Sequence, residues 1–183
     1  MKIRLAADLQ PDSIVDGKGI RTVIWTQGCS HACPECHNPS THDFAGGELV
    51  DVEDIIKKLE KLEDQDGVTF SGGDPMFQPR ECAVLAAACH DLGLNVWAYT
   101  GFTFEQLLNL GTKDILDFLS KIDVLIDGKY DKYKKSMDLE FRGSSNQRII
   151  DVPKSLENHS VVLYELNNKK NKNNLKKRET LYI

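Results

Sequence analysis

Two hydrophobic rhythms alternate along this chain. Short, dense runs of β-branched and aromatic residues are followed by stretches in which apolar side chains recur three and four positions apart, the marks of buried strands and amphipathic helices. Arg21-Thr22-Val23-Ile24-Trp25-Thr26 is the first such run, bounded by Gly19 and Gly28, and predicts a strand. Val52, Ile55, Ile56, Leu59 and Leu62 then share one helical face, with Asp51 as N-cap, Asp54 in the first turn and Gly67 closing the segment. Gly67 to Ser71 predicts a second strand, residues from about Gln78 to Asp91 a second helix, and Asn95 to Tyr99 a third strand. Thr103-Phe104-Glu105-Gln106 has the form of a capping box that opens a helical stretch through Leu119, broken near Gly111. Val124 to Asp127 is the next strand. Gln147 to Ile150 and Val161 to Tyr164 read as extended, with a helical turn around Lys154 to Glu157 between them.

Strand and helix in alternation imply an α/β fold with a mainly parallel, open sheet. In such folds ligands collect beyond the carboxyl ends of the strands. Cys29 to Cys36, Ser71 to Pro75, Thr100 and Asp127-Gly128 each follow a predicted strand, so one face should gather thiols, a glycine pair, a hydroxyl and a carboxylate. A complete eight-stranded barrel takes about 250 residues. With 183 residues, an incomplete (β/α) barrel is expected, with a mouth wide enough for a macromolecule.

Length and composition narrow the class. The chain is long enough for one domain with a substantial core and too short for two ordinary ones, and that domain is expected over residues 1–166. Residues 167–183 follow as a basic tail, rich in Asn and Lys from Asn167 to Arg178 with only Leu175 to offer a core, and are expected to be solvated. Met1 to Gln10 alternates apolar with polar residues and lacks the apolar core of a signal peptide, and no stretch approaches the length of a membrane span. A cytoplasmic, soluble protein is expected. A net charge of -5 argues against a nucleic-acid partner.

The chemistry concentrates in Gly28-Cys29-Ser30-His31-Ala32-Cys33-Pro34-Glu35-Cys36-His37-Asn38, where three cysteines are separated by three and then two residues. Three thiolates leave one iron of a cubane [4Fe-4S] cluster free to bind something else. The same thiolates with His31 or His37 could close a structural zinc site, although such sites usually join two separated ligand pairs. A disulfide suits an odd set of close thiols poorly. Gly72-Gly73, after a strand, permits close backbone approach to a ligand or serves as an ordinary turn. Cys82 and Cys89 lie seven apart on a predicted alanine-rich helix and read as small core residues, as Trp25 and Trp97 read as strand core.

The cysteine spacing, joined to Ser71-Gly72-Gly73-Asp74-Pro75, resembles the radical S-adenosylmethionine enzymes. The segments Val15-Asp16-Gly17-Lys18-Gly19-Ile20-Arg21, Gln27-Gly28-Cys29 and His37-Asn38-Pro39 look like those framing the cluster loop in activases of glycyl radical enzymes. Ile126-Asp127-Gly128-Lys129-Tyr130 and Phe141-Arg142-Gly143-Ser144-Ser145-Asn146-Gln147-Arg148 are similar to late motifs of the branch that activates anaerobic ribonucleoside-triphosphate reductase. The likeness runs from about Ile14 to Ile150.

That resemblance implies a radical S-adenosylmethionine type of incomplete barrel, with a [4Fe-4S] cluster on Cys29, Cys33 and Cys36. It implies that S-adenosylmethionine is held at its amino group by Gly72 and Gly73, that backbone from Glu35 through Cys36 to His37 meets the adenine, and that Asp74, Thr100 and Asp127 are neighbours on the same face. Many members carry Glu where Asp74 stands and an aromatic residue where Glu35 stands. His31 and His37 are not ligands in the family and are expected to shape the loop. The implied reaction begins with one electron from a flavodoxin or ferredoxin type donor. Reductive cleavage of S-adenosylmethionine then gives a 5′-deoxyadenosyl radical, which takes hydrogen from a glycine of the reductase. Two alternatives stand beside it: a pyruvate formate-lyase type activase, usually a longer chain without the Arg-Gly-Ser-Ser-Asn-Gln run, and a zinc-stabilised binding module. For the segment from Arg142 to Arg148, a polar loop and a partner or cofactor contact are both open.

Overall fold

A computed structural model describes residues 1–166; the expected basic tail, 167–183, lies outside the described residues. The chain builds one mixed sheet from β1 (Lys2–Leu5), β2 (Gln10–Ser13), β3 (Arg21–Thr26), β4 (Glu48–Asp51), β5 (Gly67–Gly72), β6 (Asn95–Tyr99), β7 (Val124–Asp127) and β8 (Arg148–Asp151). Helices α1 (Val52–Leu59), α2 (Pro79–Asp91), α3 (Phe104–Leu110), α4 (Lys113–Leu119) and α5 (Val152–Glu157) complete it. The strand order is β4-β1-β3-β5-β6-β7-β8, with β2 also paired to β3. Among the described residues no helix is long and apolar enough to cross a membrane.

The centre of the sheet, β3-β5-β6-β7, is parallel, as the strand and helix alternation predicts, and its margins are antiparallel. The difference follows from the connections. A helix carries the chain back between β5 and β6 and between β6 and β7, which permits a parallel return. No α-helix separates β7 from β8, and β8 returns antiparallel, pairing Asp127 with Arg148.

Strand parity divides the core in two. Ile24, Val68, Phe70, Val96, Ala98 and Leu125 face the helices and join their apolar sides in the main cluster. Trp97, Val124, Ile126 and Ile149 point the other way and pack with Tyr99, Phe141, Tyr164 and Leu166, with no helix on that side among the described residues. Cys82 and Cys89 are buried in the main cluster, as expected. Trp97 is core as well, but Trp25 is half-buried and lines the cavity described below, because β3 ends there.

Several elements differ from their sequence reading. Helix α1 stops at Leu59, although Leu62 still packs on the core. Asp51 occupies its N-cap position without a side-chain capping bond, since it is also the last residue of β4 and its carboxylate lies 3.6 Å from Lys2 Nζ. The capping box at Thr103 and Gln106 forms as predicted, and Gly111 ends α3 in the left-handed conformation. Val161 to Tyr164 makes a single bridge, Leu163 to Ile150, rather than a strand. Strands β1, β2 and β4, unassigned by the hydrophobic pattern, extend one edge of the sheet.

Asp127, at the end of β7, is 1% exposed and turned away from the strand-end cavity. It accepts the Phe104 amide at 2.8 Å, which seats the start of α3, and pairs with Arg148, which also holds Glu105 at 2.7 and 2.9 Å. The Arg148 guanidinium holds the Glu105 carboxyl down to about 2. Asp127→Ala should therefore cost about 2–3 kcal/mol, read as a lower urea midpoint with unchanged m-value. Glu105 is 54% exposed, so Glu105→Gln should cost only about 0.2–1 kcal/mol. Because the folded-state pKa is depressed, that increment is present above the ordinary carboxylate value and disappears as pH falls from about 4.5 to about 2.

Candidate active site

The parallel strands end at one cavity of about 440 Å³. Its wall includes Cys29, Cys33, Cys36 and His37 from the loop after β3, Ser71, Gly72 and Gly73 from the end of β5, Tyr99, Thr100 and Gly101 from β6, and Gly128 after β7. Three of the segments expected on one face therefore meet, together with the glycine that follows Asp127.

The cysteine loop is folded by its own backbone. Gly28 N–H donates to Thr41 O at 2.8 Å and Cys29 N–H to His42 O at 3.1 Å, while the Gln27 amide donates to Ser40 O at 3.2 Å and Asp43 O at 2.7 Å. These bonds close the loop at its neck. Ala32 and Glu35 take left-handed φ values of 51° and 56°, reversing the chain between the cysteines so that all three thiols line the cavity. The Asn38 amide lies 3.4 Å from Cys36 Sγ, the kind of N–H contact that stabilises sulfur as a ligand. Burial pushes the Cys29 and Cys33 thiols up, so a metal must displace their protons.

Asp74 is the hub behind this wall. It is 1% exposed, and its Oδ2 lies 2.7 Å from His31 Nε2 and 2.9 Å from both Thr100 Oγ1 and the Gly101 amide, while Oδ1 accepts the Met76 amide at 2.9 Å. One carboxylate thus ties the cysteine loop to the ends of β5 and β6. His31, 8% exposed and edge-on to Phe102 at 4.6 Å, shapes the loop as expected. Thr100 Oγ1 donates to Asp74 and accepts the Phe102 amide at 3.1 Å, which leaves one hydroxyl lone pair to meet a ligand.

The glycine pair is required by the chain itself. A Cβ on Gly73 would sit 2.4 Å from Gly28 O, and one on Gly72, at φ +101°, would sit 2.4 Å from Thr26 O. Gly73 N–H donates to Thr26 O at 2.7 Å and Asp74 N–H to Gly28 O at 3.0 Å. The close approach made here is between β5 and the neck of the cysteine loop.

Not every expected residue reaches the cavity with its side chain. Glu35, expected to offer backbone alone, turns its side chain out, 67% exposed, and pairs with Lys132 at 2.9 Å. Asp74 and Asp127 spend their oxygens on neighbouring donors, behind the wall. Conversely, Asp16, Trp25, Tyr99, Tyr130 and Phe141 line the cavity without having been singled out as cofactor contacts, and Arg142, for which a polar loop and a partner or cofactor contact were both open, lines it too. Tyr99 and Trp25 were accessible to reasoning by parity, since they alternate with Ala98 on β6 and Ile24 on β3; the others depend on loop geometry.

Three thiols on one cavity, with the Asn38 amide against Cys36 Sγ, suit an iron–sulfur cluster with an open position. A family described as a 4Fe-4S single cluster domain matches residues 15–150. The anaerobic ribonucleoside-triphosphate reductase-activating protein of Pasteurella multocida is 37% identical over 151 residues, 76% of this chain and 92% of that one. The chain belongs to this family of activating proteins. The pyruvate formate-lyase-activating enzyme of Clostridium pasteurianum is 32% identical over 160 residues, but the match spans only 62% of that longer chain against 82% of this one. The crystal structure of QueE from Escherichia coli overlays 56% of this chain and 54% of its own, with a TM-score of 0.46 and 16% identity. Activating-protein membership replaces the zinc clasp as the account of the cysteine loop.

Gly73→Ala tests how far the wall depends on the β5 contact. With the Gly28 backbone in the way, it should cost about 1–3 kcal/mol and reduce the iron retained after reconstitution. Thermal melts and iron assays on the same preparation would show both.

Proposed function

We propose that this chain activates the anaerobic ribonucleoside-triphosphate reductase by generating its glycyl radical. The observation that carries the reading is the meeting of Cys29, Cys33 and Cys36 with Gly72, Gly73 and Thr100 around one cavity, in a chain of the activating-protein family. When bound, the [4Fe-4S] cluster and S-adenosylmethionine supply the one-electron cleavage that yields methionine and a 5′-deoxyadenosyl radical able to take hydrogen from a glycine.

The protein's part is to hold and orient. Cys29, Cys33 and Cys36 bind the cluster as thiolates and leave its fourth position open. Gly72 and Gly73 offer backbone to the cofactor's amino group, with the remaining lone pair of Thr100 beside them. Asp74 acts through Thr100 and His31, and Asp127 through Arg148 and the start of α3, so both are positioning residues. Backbone from Glu35 to His37 meets the adenine, the Glu35 side chain being engaged with Lys132.

The barrel-type frame is supported by the sheet itself. Among the described residues the helices all pack on one face, and the central parallel strands follow one another in chain order, the arrangement of a partial (β/α) barrel rather than of a doubly wound sheet with helices on both faces. Residues 1–166 act as one domain. Five free cysteines suit a reducing, cytoplasmic compartment, where a flavodoxin or ferredoxin type protein supplies the electron.

Anaerobic reconstitution with iron and sulfide, followed by electron paramagnetic resonance of the reduced protein with and without S-adenosylmethionine, tests the reading. A cubane signal that changes on adding the cofactor is expected. One equivalent of zinc and no such signal would overturn it. Cys→Ala at position 29, 33 or 36 should abolish cluster retention, and Cys82→Ala should leave iron content unchanged, both read by iron and sulfide assay.

A further inference from the structure

The sheet has a second opening at the other ends of its parallel strands. A groove of about 610 Å³ lies beside residues that precede or begin them: Lys18 before β3, Asp66 before β5, Asn95 at the start of β6 and Asp123 before β7. Trp97, Val124 and Tyr164 give it an apolar lining. Trp97 and Val124 belong to the cluster on the side of the sheet that has no helix among the described residues. The cysteines line the cavity at the opposite strand ends, so the groove has no part in holding the cluster.

Three carboxylates, Asp66, Asp123 and Asp151, border this apolar lining. Asp151 is engaged by Lys154, whose Nζ lies at 2.6 Å and whose amide donates at 3.1 Å. Asp66 accepts the Ile20 amide at 2.8 Å and Asp123 the Val96 amide at 2.6 Å, each through Oδ2, and His90 Nε2 lies 3.7 Å from the same oxygen of Asp123. A carboxylate accepts through both oxygens, so Asp66 and Asp123 keep capacity for a cation. The nearby Arg21 is fully buried and commits its donors to Thr69, Val68, Lys18 and Asn95. Lys18 Nζ donates to Leu166 O at 3.4 Å.

The path of the chain brings further cations to this place. Asp151 N–H donates to Val162 O and Tyr164 N–H to Ile149 O, both at 2.9 Å, which lays the segment along β8. From there it crosses the face without helices. Tyr164 stands edge-on to Trp97 at 5.5 Å, and Leu166 packs on the same cluster while its carbonyl meets Lys18. Leu166, the last described residue, therefore lies beside a residue of the groove wall. The sequence continues Asn167-Asn168-Lys169-Lys170-Asn171-Lys172, and Lys176, Lys177 and Arg178 follow. At about 3.3 Å per extended residue, these few positions are enough to span a groove of this size. A segment tethered at the edge meets the carboxylates at millimolar effective concentration, so pairs that are weak between separate molecules suffice.

We propose that the segment from Lys169 to Lys172 docks in this groove, with its ammonium groups on Asp66 and Asp123, and covers the amino-end mouth of the sheet beside Trp97. The occupant is this chain's own segment rather than a second copy or a separate basic protein, because the chain already runs across the face to the groove edge before Asn167. Neither cluster nor cofactor enters this contact, which is independent of the functional reading above.

Zero-length carbodiimide cross-linking of the reconstituted full chain at low salt, with the links located by mass spectrometry, tests it. Links from Lys169, Lys170 or Lys172 should concentrate on Asp66 and Asp123 and disappear at about 1 M salt, where the screening length is about 3 Å. In the variant Lys169→Ser, Lys170→Ser, Lys172→Ser, amide hydrogen exchange over residues 95–97 should quicken, while the resonance response to S-adenosylmethionine stays that of the wild type. Tail links spread over exposed carboxylates such as Glu53 and Asp54 would mark a solvated segment and overturn the proposal. So would unchanged exchange in the triple variant. Links found only between chains, in a mixture of isotope-labelled and unlabelled protein, would assign the groove to a second copy and overturn it as well.

Discussion

One buried carboxylate holds the site in register. Asp74 receives four donors from three different segments: His31 in the cysteine loop, Thr100 and Gly101 at the end of β6, and Met76 just beyond β5. A carboxylate at 1% exposure persists only because all of these bonds are made, since a buried charge with fewer partners is strongly unfavourable. The consequence is mechanical. The three strand ends that carry thiols, glycines and hydroxyl are tied to one another through a single side chain.

The glycine pair supports the same constraint from the backbone side. Gly72 and Gly73 lie so near Thr26 and Gly28 that a side chain at either position would meet main-chain atoms. Their small size lets β5 press on the neck of the cysteine loop, where Gly73 and Asp74 amides donate to Thr26 and Gly28 carbonyls. Deeper on the same face, Arg21 is fully buried, donates to Thr69, Val68, Lys18 and Asn95, and lies 5.1 Å from the Trp97 ring. Burial pulls its guanidinium down to about 10, yet it remains a cation at neutral pH. Neutral acceptors and the Trp97 face touch it directly, and the more distant Asp66 and Asp123 carboxylates favour its charge.

The antiparallel margin explains how such a cavity stays accessible. A further parallel unit beyond β7 would bring another helix and carry the wall further round. Instead the chain returns through a loop without an α-helix, and β8 pairs antiparallel with β7. Asp127 and Arg148 clamp this turn at the strand ends, and Lys132 ties the loop to Glu35 of the cysteine loop at 2.9 Å.

Much of this was legible in the chain. The dense apolar runs located β3, β5, β6 and β7 because buried central strands have a strong, local signature, and Thr103-Phe104-Glu105-Gln106 announced α3 because a capping box is made within four consecutive residues. The cysteine spacing, with the glycine pair that follows, carried the family. β1, β2 and β4 were not legible: each is short, and its membership of the sheet comes from pairing with distant residues such as Leu49 with Arg4. Nor could the chain alone tell which functional candidates face the cavity. Asp74 and Asp127 follow strands as Thr100 does, but their carboxylates turn to donors from His31, Gly101, Phe104 and Arg148, partners up to 43 residues away. Arg142 enters the wall only because Phe141 adopts a left-handed backbone held by Tyr99. Local patterns specify elements and the chemistry they carry; the direction of a buried charge is decided by whichever donors the folded chain brings within reach.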